Sequence, residues 1–201
     1  HHLSEEVWQM EIVAPHIAEE RQAGQFVILQ VDQDFGERIP LTIAKADRAA
    51  GTITIVFQTV GATTHKLAAL EVGDAVGAVL GPLGRPTHIA PVGRVVAVGG
   101  GIGVAPLFPI VQAHKAAGNT VTVIMGARTK DLILFEREMR ETADDVIICT
   151  DDGSYGRKDL VTVPLKELCA SAAPPAEVIA IGPPIMMKFC AETTRPFGVP
   201  T

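Results

Sequence analysis

The fold of this chain is decided by one stretch near its middle, Val95-Val96-Ala97-Val98-Gly99-Gly100-Gly101-Ile102-Gly103-Val104-Ala105-Pro106-Leu107. Four apolar residues run into three glycines, a fourth glycine follows, and Pro106 then opens an apolar run that continues to Val111. This order predicts a strand, a glycine turn and a helix with Pro106 at its first position, where the missing N–H costs nothing. Such a turn lets the backbone approach a pyrophosphate, which the positive end of the helix attracts. Because glycine turns between strand and helix also serve plain packing, the stretch alone leaves both readings open.

Length and composition exclude several classes of function. The 201 residues are enough for one large domain or two small ones. With 17 basic and 23 acidic residues, a net charge of −6 and 4% aromatic residues, the chain has no basic groove or stacking platform, so no nucleic acid partner is expected. No apolar run approaches the roughly 20 residues of a membrane span. The three cysteines, Cys149, Cys169 and Cys190, have neither metal-ligand spacing nor an even count, which is typical of reduced thiols.

The two ends of the chain carry two further expectations. Residues His1–Met10 lack the basic and apolar regions of a signal peptide, and the reduced cysteines favour a cytoplasmic protein. Residues Phe197–Thr201 stop where another strand would be expected to begin, so we expect that the chain is truncated.

The first half has the pattern of a small antiparallel barrel. Short alternating or apolar runs are separated by turn residues, which predicts closely spaced strands. The predicted strands are Val7–Val13, Gln25–Val31, Arg38–Ala44, Thr52–Phe57 and Ala75–Leu80, with one helix at Thr63–Leu70. We therefore predict an antiparallel β-barrel domain over residues 1–92.

From Arg94 onward, strands alternate with helices. The predicted strands are Val95–Val98, Val121–Met125, Val146–Thr150 and Val178–Ile181, and the predicted helices are Pro106–Ala117, Leu132–Glu141, Pro164–Ser171 and Pro184–Thr193. Right-handed crossovers then require a parallel sheet covered on both faces, so residues 93–201 are predicted to form a doubly wound α/β domain. Ligands of such sheets collect at the carboxyl ends of the strands.

Motifs in both halves together resemble the ferredoxin–NADP reductase superfamily over nearly the whole chain. They are Arg38-Ile39-Pro40-Leu41-Thr42, Val60-Gly61-Ala62-Thr63-Thr64, the glycine turn, and Gly182-Pro183-Pro184-Ile185-Met186-Met187. Within that superfamily, Gly126-Ala127-Arg128 and Thr150–Gly156 are most similar to one branch. That branch holds the electron-transfer subunits of dihydroorotate dehydrogenase and the small subunit of NADH-dependent ferredoxin:NADP oxidoreductase, also described as sulfide dehydrogenase.

The resemblance implies that the barrel binds FAD. Arg38 offers a planar cation suited to a phosphate, and Thr42 is implied to lie near flavin N5, the one catalytic position. The turn before the Thr63 helix is implied to hold the FAD pyrophosphate. Without the other motifs, a surface arginine, a strand-forming threonine and an ordinary helix cap would explain the same residues. The implied FAD-binding residues are Arg38, Pro40, Leu41, Thr42, Gly61, Ala62, Thr63 and Thr64.

The second domain is implied to bind a nicotinamide dinucleotide, with the glycine turn facing its pyrophosphate. Arg128, just past a strand end, is a second candidate phosphate contact, although a solvated surface arginine is the alternative. Asp151 and Asp152 follow the strand end where the adenosine ribose is implied to bind; their alternative role is helix capping. The implied residues are Gly99, Gly100, Gly101, Ile102, Gly103, Val104, Arg128, Asp151, Asp152, Gly182, Pro183 and Pro184.

The carboxylates at this strand end favour NADH over NADPH. A carboxylate repels the 2′-phosphate of NADPH and accepts hydrogen bonds from the free ribose hydroxyls of NADH. Arg157 and Lys158 follow within a few residues, and they could reverse that preference.

The resemblance implies that hydride passes from the nicotinamide to flavin N5 in a cleft between the domains, and that single electrons then leave to an iron–sulfur centre. Ile181 stands where relatives often carry a cysteine, so no acid or base is assigned. In the branch, a [2Fe–2S] cluster is held in a later C-terminal segment, and the three cysteines here lack the spacing to replace it, so we expect no metal site in this chain. The implied partner is a larger redox subunit or a ferredoxin-like acceptor.

Three alternatives to a ferredoxin–NAD(P) reductase subunit stay open at this point. One is the electron-transfer subunit of a dihydroorotate dehydrogenase, whose acceptor lies on another chain. Another is a reductase of free flavins or quinones that needs no partner. The last is a non-catalytic module that kept the fold and lost its cofactors.

Overall fold

A computed structural model describes residues 1–34 and 36–201, which divide into two compact units, residues 1–87 and 88–201. The first unit is an antiparallel sheet with two short helices. Its strands are β1 (His2–Ser4), β2 (Val7–Val13), β3 (Phe26–Gln30), β4 (Arg38–Asp47), β5 (Thr52–Gln58) and β6 (Ala78–Leu83), and its helices are α1 (Pro15–Glu20) and α2 (Ala62–Ala68). The strand order is β1-β2-β5-β4-β3-β6.

The sheet of the first unit curves around a single apolar core. Ile12 of β2 and Leu29 of β3 belong to the same buried cluster, and Val79 of β6 packs against it, although β2 and β6 are far apart in the strand order. Only a curved sheet brings these strands to one core. The predicted antiparallel β domain is therefore confirmed, with β1 and β6 as its edges among the described residues.

The second unit is a parallel sheet with helices on both faces. Its elements are β7 (Arg94–Gly100), α3 (Val104–Ala116), β8 (Thr120–Ala127), α4 (Glu136–Thr142), β9 (Asp145–Thr150), α5 (Thr162–Cys169), β10 (Glu177–Ile181) and α6 (Pro184–Thr194). The strand order is β10-β7-β8-β9, with all three pairs parallel. Helices α3 and α4 contact each other, as do α5 and α6, so each pair covers one face and the predicted α/β class is confirmed.

The structure differs from the local predictions in several places. Helix α3 begins at Val104, so Pro106 lies inside the first turn rather than at its start. The predicted helix Leu132–Glu141 is a 3-10 turn followed by α4, because Phe135 adopts φ +59° and packs its ring 5.7 Å from that of Phe108. Strand β6 lies at Ala78–Leu83 rather than at Ala75–Leu80, and a proline is tolerated there because β6 is an edge strand. Helix α1 was missed because Pro15 was interpreted only as a strand end.

Residues 88–92 join the second unit because the buried side chain of Asn119 holds them. Its Oδ1 accepts hydrogen bonds from Val92 N at 2.8 Å and Gly93 N at 2.9 Å, and its Nδ2 donates to Ala90 O at 2.8 Å. These bonds fix the orientation of the amide, so Nδ2 also donates to Nδ1 of His114 at 3.1 Å. His114 therefore carries its proton on Nε2, which has no hydrogen-bond partner among the residues described.

We expect stability to fall as the pH drops below the ordinary pKa of His114. Burial lowers the pKa of His114, against the opposing charge of Glu177. As the pH falls, the unfolded chain therefore binds the proton before the folded chain does. The free energy of unfolding is at its highest above about pH 6.5 and falls by at most about 1.4 kcal/mol per pH unit below it. Urea unfolding between pH 7.5 and 5 measures this slope. His114→Gln should flatten it, whereas His16→Gln at the surface should leave it unchanged; equal slopes in all three proteins would contradict the expectation.

Candidate functional site

Strand β4 sends alternate side chains to opposite faces of the first sheet. Ile43 lies in the core and Leu41 packs against it, so Leu41 points inward and offers a ligand only its backbone. Arg38 and Pro40 are exposed and Thr42 is half-buried, which places these three on the outer face. Three of the four candidates on β4 are therefore brought to one surface.

The neighbouring strands extend this outer face with apolar side chains. In the register of β3 and β4, Phe26 lies opposite Thr42 and Ile28 lies opposite Pro40. Leu80 of β6 pairs with Ile28 and is 46% exposed. Paired residues of antiparallel strands share a face, so these side chains form a partly exposed apolar platform beside Arg38. Sequence reasoning missed Phe26, Ile28 and Leu80 because only the strand register reveals them.

The guanidinium of Arg38 stands at one end of this platform. Its Nε donates to Oε1 of Gln30 on β3 at 3.1 Å, which orients the planar group. Within the described part of the chain, the two terminal nitrogens have no partner, so they can bind an anion.

The turn before α2 lies close to the start of β4. Oε2 of Glu37, the residue before Arg38, accepts a hydrogen bond from Oγ1 of Thr63 at 2.6 Å. Oγ1 of Thr64 accepts from Gly61 N at 3.0 Å and donates to Gly61 O at 2.9 Å. Both threonine hydroxyls therefore hold the turn itself. A Cβ on Gly61 would meet nothing within 4 Å, and Ala62 is exposed, so open space remains beside the backbone.

The glycines of the central turn do different things. A Cβ on Gly99 would press on Val104 at 2.8 Å, and one on Gly100 would press on Met186 at 2.5 Å. A Cβ on Gly103 would clash with the backbone oxygen of Ile181 at the end of β10. Gly101, in contrast, has φ +54° and would meet nothing within 4 Å. A backbone atom thus blocks a side chain at Gly103, neighbouring side chains crowd Gly99 and Gly100, and Gly101 is the one of the four beside open space.

The turn after β10 meets this central turn where the strand order reverses. A Cβ on Gly182 would lie 3.0 Å from Gly100 N, and Pro183 lies close to Gly100. Pro183 and Pro184 are exposed, Ile102 is half-buried and Val104 is buried. Strands β7 and β10 are neighbours in the sheet although α3 leads from β7 in the other direction, to β8, so this is the switch point where open parallel sheets bind ligands.

The loops after β8 and β9 are joined by hydrogen bonds, which bring Arg128 beside the two aspartates. Asp151 N donates to Ala127 O at 3.1 Å, and Asp152 N donates to Arg128 O at 3.2 Å. Oδ1 of Asp152 accepts from both N and Oγ of Ser154, and these bonds hold the pKa of Asp152 below its usual value. Asp152 is therefore used within the loop, whereas Asp151 is exposed.

Of the two cations that follow the aspartates, Arg157 is bound by carboxylates and Lys158 is not part of those ion pairs. Arg157 donates from Nε to Asp159 and from both terminal nitrogens to Glu167. Earlier in the chain, Nζ of Lys130 lies 5.3 Å from the ring centre of Tyr155. Lys158 is exposed, and the aliphatic part of its side chain packs over Gly153. Sequence reasoning gave no role to Lys130, Ser154 or Tyr155, because their contacts join loops that follow different strands.

The three cysteines lie in the core of the second unit. Burial raises the pKa of Cys149 and of Cys190 to about 11 and also raises that of Cys169. Thiols in this state are poor metal ligands, because metal binding requires the thiolate. The described residues contain no group of three or more His, Cys, Asp or Glu placed to hold a metal ion. None of their helices has the length and apolar character needed to cross a bilayer.

Comparisons with known proteins agree with this arrangement. Residues 97–192 match the family described as the oxidoreductase NAD-binding domain. Over 199 residues the chain is 43% identical to a dihydroorotate dehydrogenase B (NAD(+)) electron transfer subunit homolog of Thermotoga maritima, covering 98% of this chain and 69% of that protein. It is 34% identical over 196 residues to the corresponding subunit of Bacillus caldolyticus, covering 94% of this chain and 74% of that one.

Solved structures show the same two-unit fold. A chain of an NADH-dependent reduced ferredoxin-NADP oxidoreductase, studied for flavin-based electron bifurcation, is 40% identical with a TM-score of 0.92, over 99% of this chain and 71% of that one. The cytochrome b5 reductase domain of Ulva prolifera nitrate reductase is 18% identical with a TM-score of 0.73, over 97% and 88% of the two chains. The second likeness concerns the fold alone.

Proposed function

This chain belongs to the family of dihydroorotate dehydrogenase B electron-transfer subunits and their homologues, within the ferredoxin–NADP reductase superfamily, and from that premise we propose that it moves a hydride between a nicotinamide dinucleotide and FAD. It is an oxidoreductase of the NAD-binding class. FAD would be held by the first unit and the dinucleotide by the second. Single electrons would then pass to a partner.

The platform on the first unit fits a flavin. FAD, when bound, supplies a two-electron acceptor that can release electrons singly. The ring would lie against Pro40 and Thr42, with Phe26 and Ile28 beside them, because such a partly exposed apolar surface gains from being covered. Thr42 would orient the ring through its hydroxyl near N5. Hydride transfer needs orientation of two rings more than it needs an acid or base, so no proton is assigned to Thr42.

Two positions on the first unit are proposed for the phosphates of FAD. The terminal nitrogens of Arg38 match a phosphate in geometry and charge. The open space beside Gly61 and Ala62 leaves room for the pyrophosphate at the backbone N–H groups that begin α2. In this arrangement Thr63 and Thr64 shape the turn, and they act on the ligand only through the backbone.

Gly101 is the observation that carries the dinucleotide proposal. Its neighbours are packed against side chains or backbone, yet the space beside it is open where α3 begins. A pyrophosphate placed there would face the N–H groups of a 13-residue helix, which attract anions. Arg128 would add a second phosphate contact, and the turn Gly182–Pro184 would bound the nicotinamide end.

We assign the preference for NADH to Asp151. Its exposed carboxylate can accept from the ribose hydroxyls and would repel a 2′-phosphate. Asp152, bonded twice to Ser154, would keep the loop in the shape that presents Asp151.

The electrons would leave through a partner. The buried cysteines here do not suit a cluster, so we place the [2Fe–2S] centre outside these 201 residues and name a larger redox subunit or a ferredoxin-like protein as the acceptor. The relatives' names as electron-transfer subunits support this reading over a reductase of free flavins that works alone.

A spectrum of the purified chain tests the function. After addition of FAD and removal of the excess, we expect flavin absorption bands with no iron–sulfur shoulder, and anaerobic NADH should bleach the bands because the flavin is reduced. Oxidation of NADH should be slow alone and rise when the partner subunit is added. Failure to retain FAD would favour the non-catalytic module, and an iron–sulfur shoulder from this chain alone would contradict the placement of the cluster.

A further inference from the structure

Arg157 is a cation close to the proposed ribose end of the second unit, yet carboxylates occupy its guanidinium. Its Nε donates to Oδ2 of Asp159 at 2.9 Å, and its two terminal nitrogens donate to the two carboxylate oxygens of Glu167 at 2.7 and 2.8 Å. These bonds raise the pKa of Arg157 above its already high value. Glu167 stands on α5, outside the loops that follow the strands.

The backbone places Arg157 beside the carboxyl end of β9. Residue 157 forms a parallel bridge with Cys149, with Arg157 N bonded to Ile148 O at 2.8 Å and Thr150 N bonded to Arg157 O at 2.9 Å. Asp151 lies two residues beyond Cys149. Strand spacing of about 4.8 Å and a rise of about 3.3 Å per residue put the Cα atoms of residues 151 and 157 roughly 8 Å apart. An extended arginine side chain can reach that region.

An arginine at this place whose guanidinium had no carboxylate partner would favour NADPH over NADH. The 2′-phosphate distinguishes NADPH from NADH, and an arginine fork binds a phosphate through paired, charge-assisted hydrogen bonds. The same fork cannot make those bonds while it is bound on its Nε side by Asp159 and on its terminal side by Glu167. Residues 151–159 and Glu167 together carry four carboxylates and two cations, namely Asp151, Asp152, Asp159, Glu167, Arg157 and Lys158.

We propose that Asp159 and Glu167 are positioning residues that set the preference for NADH, because they hold Arg157 against α5 and away from a 2′-phosphate. We call these two carboxylates the clamp. This inference rests on the proposed dinucleotide function of the second unit. It assigns part of the cofactor specificity to a helix residue that does not itself touch the cofactor.

Binding of two small probes tests the clamp without any redox activity. AMP and 2′,5′-ADP (adenosine 2′,5′-bisphosphate) differ only by the 2′-phosphate, so the ratio of their dissociation constants reports on that group alone. The variant Asp159→Asn with Glu167→Gln should lower the dissociation constant for 2′,5′-ADP relative to that for AMP by about ten-fold, since it frees one charge-assisted contact. Adding Arg157→Gln to this variant should cancel the gain. Glu141→Gln, which removes a carboxylate paired with Arg137 on α4, is the matched control and should change neither constant.

The outcomes separate the clamp from general charge effects and from the proposed function. An equal gain with and without Arg157 would show that fewer carboxylates, and not a freed guanidinium, improve binding, and it would overturn the proposal. So would an unchanged ratio in the double variant. If the unaltered chain bound AMP but the double variant showed no gain for 2′,5′-ADP, the clamp alone would fail. If it bound neither probe, the dinucleotide function would fail, and the clamp with it. In the FAD-loaded protein, the double variant should lower KM for NADPH with kcat for NADH unchanged.

Discussion

Replacing Gly103 with alanine is expected to destabilise the second unit by about 3 kcal/mol, whereas the same change at Gly101 should leave it folded and remove dinucleotide binding. The new methyl group at position 103 would overlap the backbone oxygen of Ile181, which cannot move without pulling β10 from β7. Overpacking of this kind costs about 1–3 kcal/mol, and the upper end applies where the obstacle is backbone. Urea unfolding of the two variants measures the difference.

The methyl group at position 101 would meet no protein atom within 4 Å. Its structural cost is the left-handed backbone at φ +54°, about 1 kcal/mol. It would, however, occupy the space proposed for the pyrophosphate, so the dissociation constant for ADP should rise at least about ten-fold. Normal ADP binding by Gly101→Ala would contradict the proposed site. A Gly103→Ala variant as stable as the parent chain would contradict the packing role.

Replacing Arg38 with glutamine should weaken FAD binding by roughly ten- to a hundred-fold, the equivalent of about 1.5–3 kcal/mol for hydrogen bonds to a charged group. The structural cost should be small, because Arg38 is exposed and, among the residues that the structure describes, gives up a single neutral-acceptor hydrogen bond, from its Nε to Gln30. Arg38→Lys keeps the charge without the fork, so its affinity should lie between those of the glutamine variant and the parent chain.

Fluorescence titration of FAD with the apoprotein measures these affinities. Arg48→Gln is the control, since it removes another exposed cation, from the turn after β4 in the same unit. Equal losses in the two variants would indicate a general charge effect, and an unchanged affinity in Arg38→Gln would remove Arg38 from the site.

Sequence patterns were sufficient for the architecture, because each strand of the second unit is a short apolar run that ends at a glycine or turn residue. They failed where tertiary contact overrides local preference. Phe135 interrupts a plausible helix since its ring packs against Phe108, a residue 27 positions earlier in the chain. Pro15 satisfied two local rules at once, strand end and helix start, and nothing nearby in the sequence decides between them.

The candidate site was predictable only at the level of motifs. The alternation Arg38, Pro40, Thr42 indicates one face, but the partners Phe26 and Ile28 follow from a strand register that the sequence does not state. The ion pair of Arg157 with Glu167 joins an irregular segment to a helix residue ten positions later. The sequence alone therefore suggested that Arg157 was free to bind a ligand, whereas in the fold it is bound by Glu167. The different roles of Asp151 and Asp152 depend in the same way on the position of Ser154.

The packed glycines of the central turn have a consequence for how such motifs change in evolution. Whatever the protein binds, a Cβ on Gly103 would meet the backbone of Ile181, and one on Gly99 or Gly100 would crowd side chains of α3 or α6. A descendant that abandoned its cofactor would still be under selection to keep these three, and its sequence would continue to match a nucleotide fingerprint. Gly101 is the position released by such a loss, so a bulky residue there would mark a relative that retains the fold after its redox chemistry has gone.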